Sequence, residues 1–387
     1  MYNVKLLNKI SKLGLSNLSK EDYNVGEDVE NEDAVLVRSA SMHETVLPES
    51  LLAIARAGAG VNNIPVDDCS AKGIVVFNTP GANANAVKEL AITALMLASR
   101  NVVGGIEWVK TLDPAGDPIA PQVEKGKSAY VGPEVYGKTL GVIGLGAIGA
   151  LVANAAHSLG MDVLGCDPYI TVDAAWSLSR SIHKANDNDT IYANADYITI
   201  HVPSTPSTKG MINAETIAKM KDGVRIINLS RADLVNSEDM KAALESGKVA
   251  AYVTDFPTND MFGAKNTVLI PHLGASTPEA EENCAIMACR QLDDYLRTGN
   301  IKNSVNFPDV SLPHNASARL CCFHKNVPSI ITQITNAISS ENINIENLIN
   351  RSKKDYAYTI VEINGSVSEN VVKTVEEIDG IIRVRVI

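Results

Sequence analysis

Residues 141–149 read GVIGLGAIG, in which Gly144, Gly146 and Gly149 have the spacing G-x-G-x-x-G. That spacing is weak by itself, but its surroundings order it. LGVI (140–143) is a short apolar run suited to a buried parallel strand, ALVANAAHSL (150–159) reads as a small-residue helix, and MDVLGC leads into Asp167. Strand, glycine turn, helix and a second strand closed by an acid make a dinucleotide-binding turn. In such a turn the first glycine allows the tight bend, the second lets backbone approach a pyrophosphate, and the third lets helix and strand pack closely. Ala147 and Ile148 lie between the second and third glycines, ahead of the helix whose N–H groups and positive dipole end face the phosphates. Asp167 is placed to accept ribose hydroxyls and to repel a 2′-phosphate, so NAD is expected over NADP. The plainer reading makes the glycines a simple βα turn and Asp167 a turn residue before Pro168.

The turn comes late, with 140 residues before the motif and 238 after it, so something else is built first. Residues 1 to about 100 alternate apolar runs (AVLVR, IVVFN) with stretches that read as helical (PESLLAIARAG, VDDCSAKG), the pattern of a parallel α/β unit. A second α/β series runs from about 104 to 275 through YITIHV, VRIINLS, AAYVTDF and VLIPHLG. Ligands of such sheets bind beyond the carboxyl ends of the strands, which singles out His201, Arg231, Asp255 and His272. PEAEENCAIMACRQLDDYLRTG reads as a long helix. The stretch 316–387 then reads βαββαβ, a ferredoxin-like unit.

Composition narrows the function classes. A formal charge of −11 argues against nonspecific nucleic-acid binding, so an anionic ligand needs a few local cations. No apolar run approaches the roughly 18 residues of a membrane span, and Lys5, Lys9 and Lys12 interrupt the N-terminal stretch, so no membrane partner and a cytoplasmic setting are expected. Six cysteines without a C-x-x-C pair suit buried thiols better than disulfides or a metal.

With LVRSA (36–40), RAGAGVNNI (56–64), NTPGAN (78–83), GLGAIG, HVPSTPST (201–208), INLSRADLV (227–235) and PHLGAST (271–277) in this order, the chain resembles the D-2-hydroxyacid dehydrogenase family. It is most similar to the branch that acts on 3-phospho-D-glycerate and carries a C-terminal ACT domain. The resemblance implies a Rossmann-type NAD domain (101–275) inserted into a flavodoxin-like substrate domain (1–100 and 276–305), with the ACT domain over 316–387. It implies NAD-linked oxidation of 3-phosphoglycerate to the 2-oxo acid, a homodimer or homotetramer, and for the C-terminal unit either L-serine as an effector or a dimerisation module without a ligand.

Residue by residue, the resemblance puts the catalytic arginine on Arg231, which holds the substrate carboxylate, and the general base on His272. An imidazole's ordinary pKa of ~6.5 suits proton exchange in both directions. The family's glutamate behind that histidine is missing. In DFPTND its place falls on Asp260 if Asp255 is the residue that meets the nicotinamide, or on Asn259 if F-P-T is matched instead; Asp260 is preferred because a carboxylate stabilises imidazolium. Cofactor contacts are implied at His201, Val202 and Pro203. Substrate contacts are implied at Arg38, Ser39 and Asn83, with Arg56 and Lys127 as weaker cations, and Arg38 could instead be paired with a carboxylate. His324, Asn326 and Asn344 match serine-binding positions, but the family's proline-glycine is Pro328-Ser329 here. Two other readings stay open: an unphosphorylated acid (glycerate, 2-hydroxyglutarate or lactate), and a non-catalytic NAD-sensing protein.

Overall fold

The computed structural model describes every residue except Asn315. It divides into two compact units, Met1–Asn83 with Pro278–Ile387, and Ala84–Thr277.

The first unit begins with five parallel strands: β1 (Tyr2–Leu6), β2 (Tyr23–Gly26), β3 (Ala34–Val37), β4 (Ala53–Arg56) and β5 (Val75–Phe77). Their order β2-β1-β3-β4-β5 is the flavodoxin-like one. Both faces of this sheet are covered, so β3 is apolar throughout: Val35 and Val37 join one core cluster and Leu36 another. PESLLAIARAG, expected as a helix, instead holds β4. Ala53–Arg56 pairs with β3 and β5 at once, and burial between two neighbours overrides the helical preference of Ala and Leu. The expected long helix is present as Pro278–Thr298, and it seats Ala285, Ala288, Leu292 and Tyr295 in the core that holds Leu36 and Phe77.

Within the second unit, β6 (Thr139–Ile143), β7 (Asp162–Cys166), β8 (His183–Lys184), β9 (Tyr197–Ile200), β10 (Val224–Asn228), β11 (Val249–Thr254) and β12 (Thr267–Leu269) form a parallel sheet ordered β12-β11-β10-β9-β6-β7-β8. This is the doubly wound order, and its direction reverses between β6 and β9, where ligands bind in such sheets. The Ala84–Ser99 helix belongs here rather than with the first hundred residues, because Ala91, Ala94 and Leu95 pack against Leu140, Val152 and Val253.

The C-terminal stretch returns to the first unit. β13 (Ala318–Lys325), β14 (Ile345–Lys353), β15 (Tyr356–Ile363) and β16 (Ile381–Val386) make an antiparallel sheet ordered β14-β15-β13-β16. Its element order is the expected βαββαβ, with helices at Ile330–Ser339 and Glu369–Glu376. One face (Leu320, Cys322, Val361) meets those helices, and the other (Cys321, Phe323, Tyr358) joins Phe77, Tyr295 and Phe307 in one core. Arg383 donates to the carbonyls of Leu51 and Glu49, and Arg385 lies 4.6 Å over the Tyr295 ring. The sheet is therefore packed onto the first one instead of standing apart. All six cysteines are buried and free. Among the described residues, no single helix is long and apolar enough to cross a membrane.

Candidate functional site

The glycine turn leaves β6 and opens the Ala147–Ser158 helix, which starts three residues earlier than its apolar pattern suggests. Gly144 has φ 90°, and a side chain there would meet the His201 carbonyl oxygen at 2.6 Å. At Gly149 a Cβ would lie 1.9 Å from the Gly144 oxygen, so strand and helix approach more closely than any side chain permits. Gly146 differs, since a Cβ there would meet nothing within 4 Å. Open space at the middle glycine, before a helix whose first turn has no side-chain cap, leaves Ala147, Ile148 and their neighbours free to donate to an anion. Asp167, just past β7, accepts from the Leu145 and Tyr169 N–H groups, both at 2.8 Å. Those bonds fix its carboxylate beside the turn.

Across the switch point, His201 follows β9. Burial pushes its imidazole down to about 4, so the ring is neutral at ordinary pH. Its Nε2 is 2.9 Å from Thr199 Oγ1, while the buried Nδ1 has no partner. Val202 packs against the turn near Gly144, and the Pro203 carbonyl accepts from Thr208.

Arg231, His272 and Asp255 come together around one side chain that the sequence did not single out. The Arg231 guanidinium lies 5.6 Å over the Phe256 ring, and the His272 ring is 4.6 Å from the same ring. Arg231 and His272 are both exposed, whereas Asp255 is buried. The His272 backbone is held at φ 30° by an N–H shared between the Asp255 and Ile270 carbonyls, each at 3.0 Å. A left-handed histidine is a strained conformation of the kind that collects at functional sites. Desolvation raises the Asp255 carboxyl above its usual range, and the facing His272 and Arg231 oppose that rise. Its Oδ1 has no partner.

Asp260 is placed elsewhere. It is exposed in the single turn Asn259–Met261, and among the described residues no hydrogen bond joins it or Asn259 to His272. The carboxylate that faces His272 is Asp255.

Arg38, Ser39 and Asn83 lie in the first unit. Arg38 is engaged: its Nη2 is 2.5 Å from Glu281 Oε1, the carboxylate pairing left open from sequence. Asn8 Oδ1 accepts from the N–H groups of Arg38, Ser39 and Ala40 at 2.9–3.0 Å. Arg56 donates to the Arg38 carbonyl, and Lys127 pairs with Glu124. In the C-terminal sheet, His324 is buried with Nδ1 donating to the Lys325 carbonyl and Nε2 2.9 Å from Thr359 Oγ1. Asn326 donates to the Lys354 carbonyl, and Asn344 is exposed. Ser329 takes φ 69° at the position of the family's glycine.

Residues 92–274 match the family described as D-isomer specific 2-hydroxyacid dehydrogenase, NAD binding domain. A D-3-phosphoglycerate dehydrogenase of Haemophilus influenzae is 32% identical over 87% of this chain and 81% of its own length. The chain belongs to the D-isomer specific 2-hydroxyacid dehydrogenases. Its glycine turn, Asp167, Arg231 and Asp255 all lie in the segment that matches the family's NAD-binding domain. A second relative, the Synechocystis D-3-phosphoglycerate dehydrogenase, is 36% identical over 72% of this chain but only 50% of its own length, so this chain spans about half of that longer protein. Among solved structures, the NAD-bound 3-phosphoglycerate dehydrogenase of Entamoeba histolytica aligns with a TM-score of 0.59 at 24% identity, covering 79% of this chain and 98% of that one. That likeness is one of fold.

Proposed function

We propose that the protein is an NAD-dependent dehydrogenase that interconverts 3-phospho-D-glycerate and 3-phosphohydroxypyruvate, as an early step of serine formation. The observation that carries the catalytic part is the convergence of Arg231 and His272 on Phe256, beside the buried Asp255. Phosphoglycerate is favoured because several relatives carry that name and because a cation, Arg38, follows β3. The residues present fit NAD on two counts: the empty space at Gly146 and the unpartnered Asp255 Oδ1, which can accept from a carboxamide N–H. Bound NAD supplies the two-electron acceptor for the hydrogen at C2. Asp167 would hold the ribose hydroxyls, and the glycine turn with the first helical turn of Ala147–Ser158 would hold the pyrophosphate.

Arg231 holds the C1 carboxylate and polarises the C2 oxygen through charge-assisted hydrogen bonds. His272 takes the C2 hydroxyl proton in oxidation and returns it in reduction. Asp255 is the carboxylate assigned to face that ring in place of Asp260, which lies in an exposed turn and, among the described residues, has no hydrogen bond to His272. Asp255→Asn should therefore lower the reductive kcat about tenfold or more, while Asp260→Asn leaves it in place. A loss with Asp260→Asn alone reverses the assignment.

One observation favours a second reading. Arg38 is already paired with Glu281, and an unphosphorylated acid does not need that cation. Steady-state reduction of phosphohydroxypyruvate and hydroxypyruvate separates the two. Arg38→Ala should raise KM for the phosphorylated acid about tenfold more than for the other, the cost of a lost charge-assisted bond. Equal losses favour the unphosphorylated substrates.

For the C-terminal sheet we propose structural support ahead of serine binding. Both ring nitrogens of His324 and the Asn326 amide have partners within the sheet and its loops, and Ser329 adds a side chain where the family's glycine leaves room. A cytoplasmic homodimer or homotetramer is the setting proposed, from the family resemblance.

A further inference from the structure

We propose that Glu281 is a specificity-determining residue whose carboxylate sits on the Nη2 edge of Arg38, so that a phosphorylated substrate must compete with it there. This rests on the reading of Arg38 as the anion site. Glu281 lies in the first turn of the Pro278–Thr298 helix, 243 residues from Arg38 in the chain, and the two meet at 2.5 Å. No local sequence signal joins them.

The other donors at this strand end are occupied as well. Asn8 Oδ1 gathers three successive backbone N–H groups, those of Arg38, Ser39 and Ala40. Such a run of N–H groups is one that phosphate oxygens otherwise use. With the amides taken by Asn8 and Arg38 Nη2 engaged by Glu281, a phosphate meets an internal acceptor already seated on that edge of the guanidinium and on all three amides.

Glu281 is the acceptor that can leave. The side chains of Arg38 and Glu281 are 42% and 44% exposed, so their attraction is screened and weak, and the glutamate can rotate into water at small cost. Asn8 loses three bonds at once if it moves. A phosphate with nearly two negative charges outbids one carboxylate for Arg38, but it is still repelled by the glutamate it displaces. Glu281 thus lowers the preference for a phosphorylated acid without abolishing it, and an acid with a neutral tail is untouched by the competition.

The test uses the full chain with Glu281→Gln, Glu281→Ala and Arg38→Ala. Calorimetry with inorganic phosphate should show about fivefold tighter binding in Glu281→Ala, and the gain should vanish in Glu281→Ala/Arg38→Ala. In turnover, the kcat/KM ratio of phosphohydroxypyruvate to hydroxypyruvate should rise about fivefold in both Glu281 variants. If Arg38→Ala lowers that ratio but neither Glu281 variant raises it, the inference falls and the reading of Arg38 stands. If Arg38→Ala leaves the ratio unchanged, both fall together.

Discussion

Two strand–turn–helix corners of this molecule put a left-handed residue just ahead of a helix: Gly144 at φ 90° after β6, and Ser329 at φ 69° after β13. Around Gly144 the chain leaves space and free donors: an open Gly146, an uncapped helix start, an Asp167 pinned alongside, and an unpartnered nitrogen on His201. Around Ser329 the polar groups satisfy one another. His324 is bonded through both nitrogens, and Asn326 ties its loop to Lys354. Similar local geometry serves reception in one corner and closure in the other. What separates them is the residue at the bend and whether nearby polar groups are already paired.

The largest expected effect breaks the receiving corner outright. Gly149→Ala forces a Cβ to within 1.9 Å of a backbone oxygen, so the turn must open. NADH binding, followed by fluorescence, should weaken by more than ~100-fold and Tm should fall together with it. Full affinity in this variant would mean that the close approach of helix and strand is dispensable.

His201 comes next. The unfolded ring takes up a proton below ~6.5, but the folded one does so only below about 4, so stability is flat above the first value and falls as pH drops between them. Its loss near pH 4 should be about 2 kcal/mol, less than the full shift because solvent reaches one edge of the residue. Denaturant titrations from pH 7 to 4 should show this slope in the wild type and a flatter one in His201→Gln.

Gly146→Ala is a sharper cut at smaller cost. With nothing within 4 Å of the added methyl, Tm should hold while NADH affinity drops about tenfold. Unchanged affinity would place the pyrophosphate away from this backbone. The smallest effect belongs to the closed corner, where Ser329→Gly should stabilise the protein by about 0.5–1 kcal/mol by relieving the left-handed serine. Destabilisation would show that the serine side chain holds the turn.

The receiving corner was legible in the sequence because its determinants are local: three glycines, two apolar strands and an acid within 27 residues (141–167). The positions of Arg231, Asp255 and His272 were legible for the same reason, each lying within three residues of the end of its strand. PESLLAIARAG was misread because its identity as β4 is decided by neighbours on either side, which no local period records. Asp260 has the right spacing after Asp255, but spacing does not reveal that the Asn259–Met261 turn leaves it in solvent without a bond to His272. Phe256 was overlooked because an aromatic residue after an aspartate has no motif. Glu281 and Asn8 were invisible because what matters is their reach to Arg38 across the fold, 243 and 30 residues away.

The most direct test is to replace the proposed acid–base group and follow binding and turnover separately. NADH consumption with phosphohydroxypyruvate is measured in the wild type and in His272→Asn, and NADH affinity is measured in both by fluorescence titration. The expected result is a fall in kcat of about 10²–10⁴-fold with NADH affinity kept within about twofold, since the proposal has His272 exchange the proton while the glycine turn and Asp167 hold the cofactor. A variant that turns over at the wild-type rate, or a wild type that binds NADH yet consumes none with any 2-oxo acid offered, would contradict the assignment of Arg231, Asp255 and His272 as a catalytic centre.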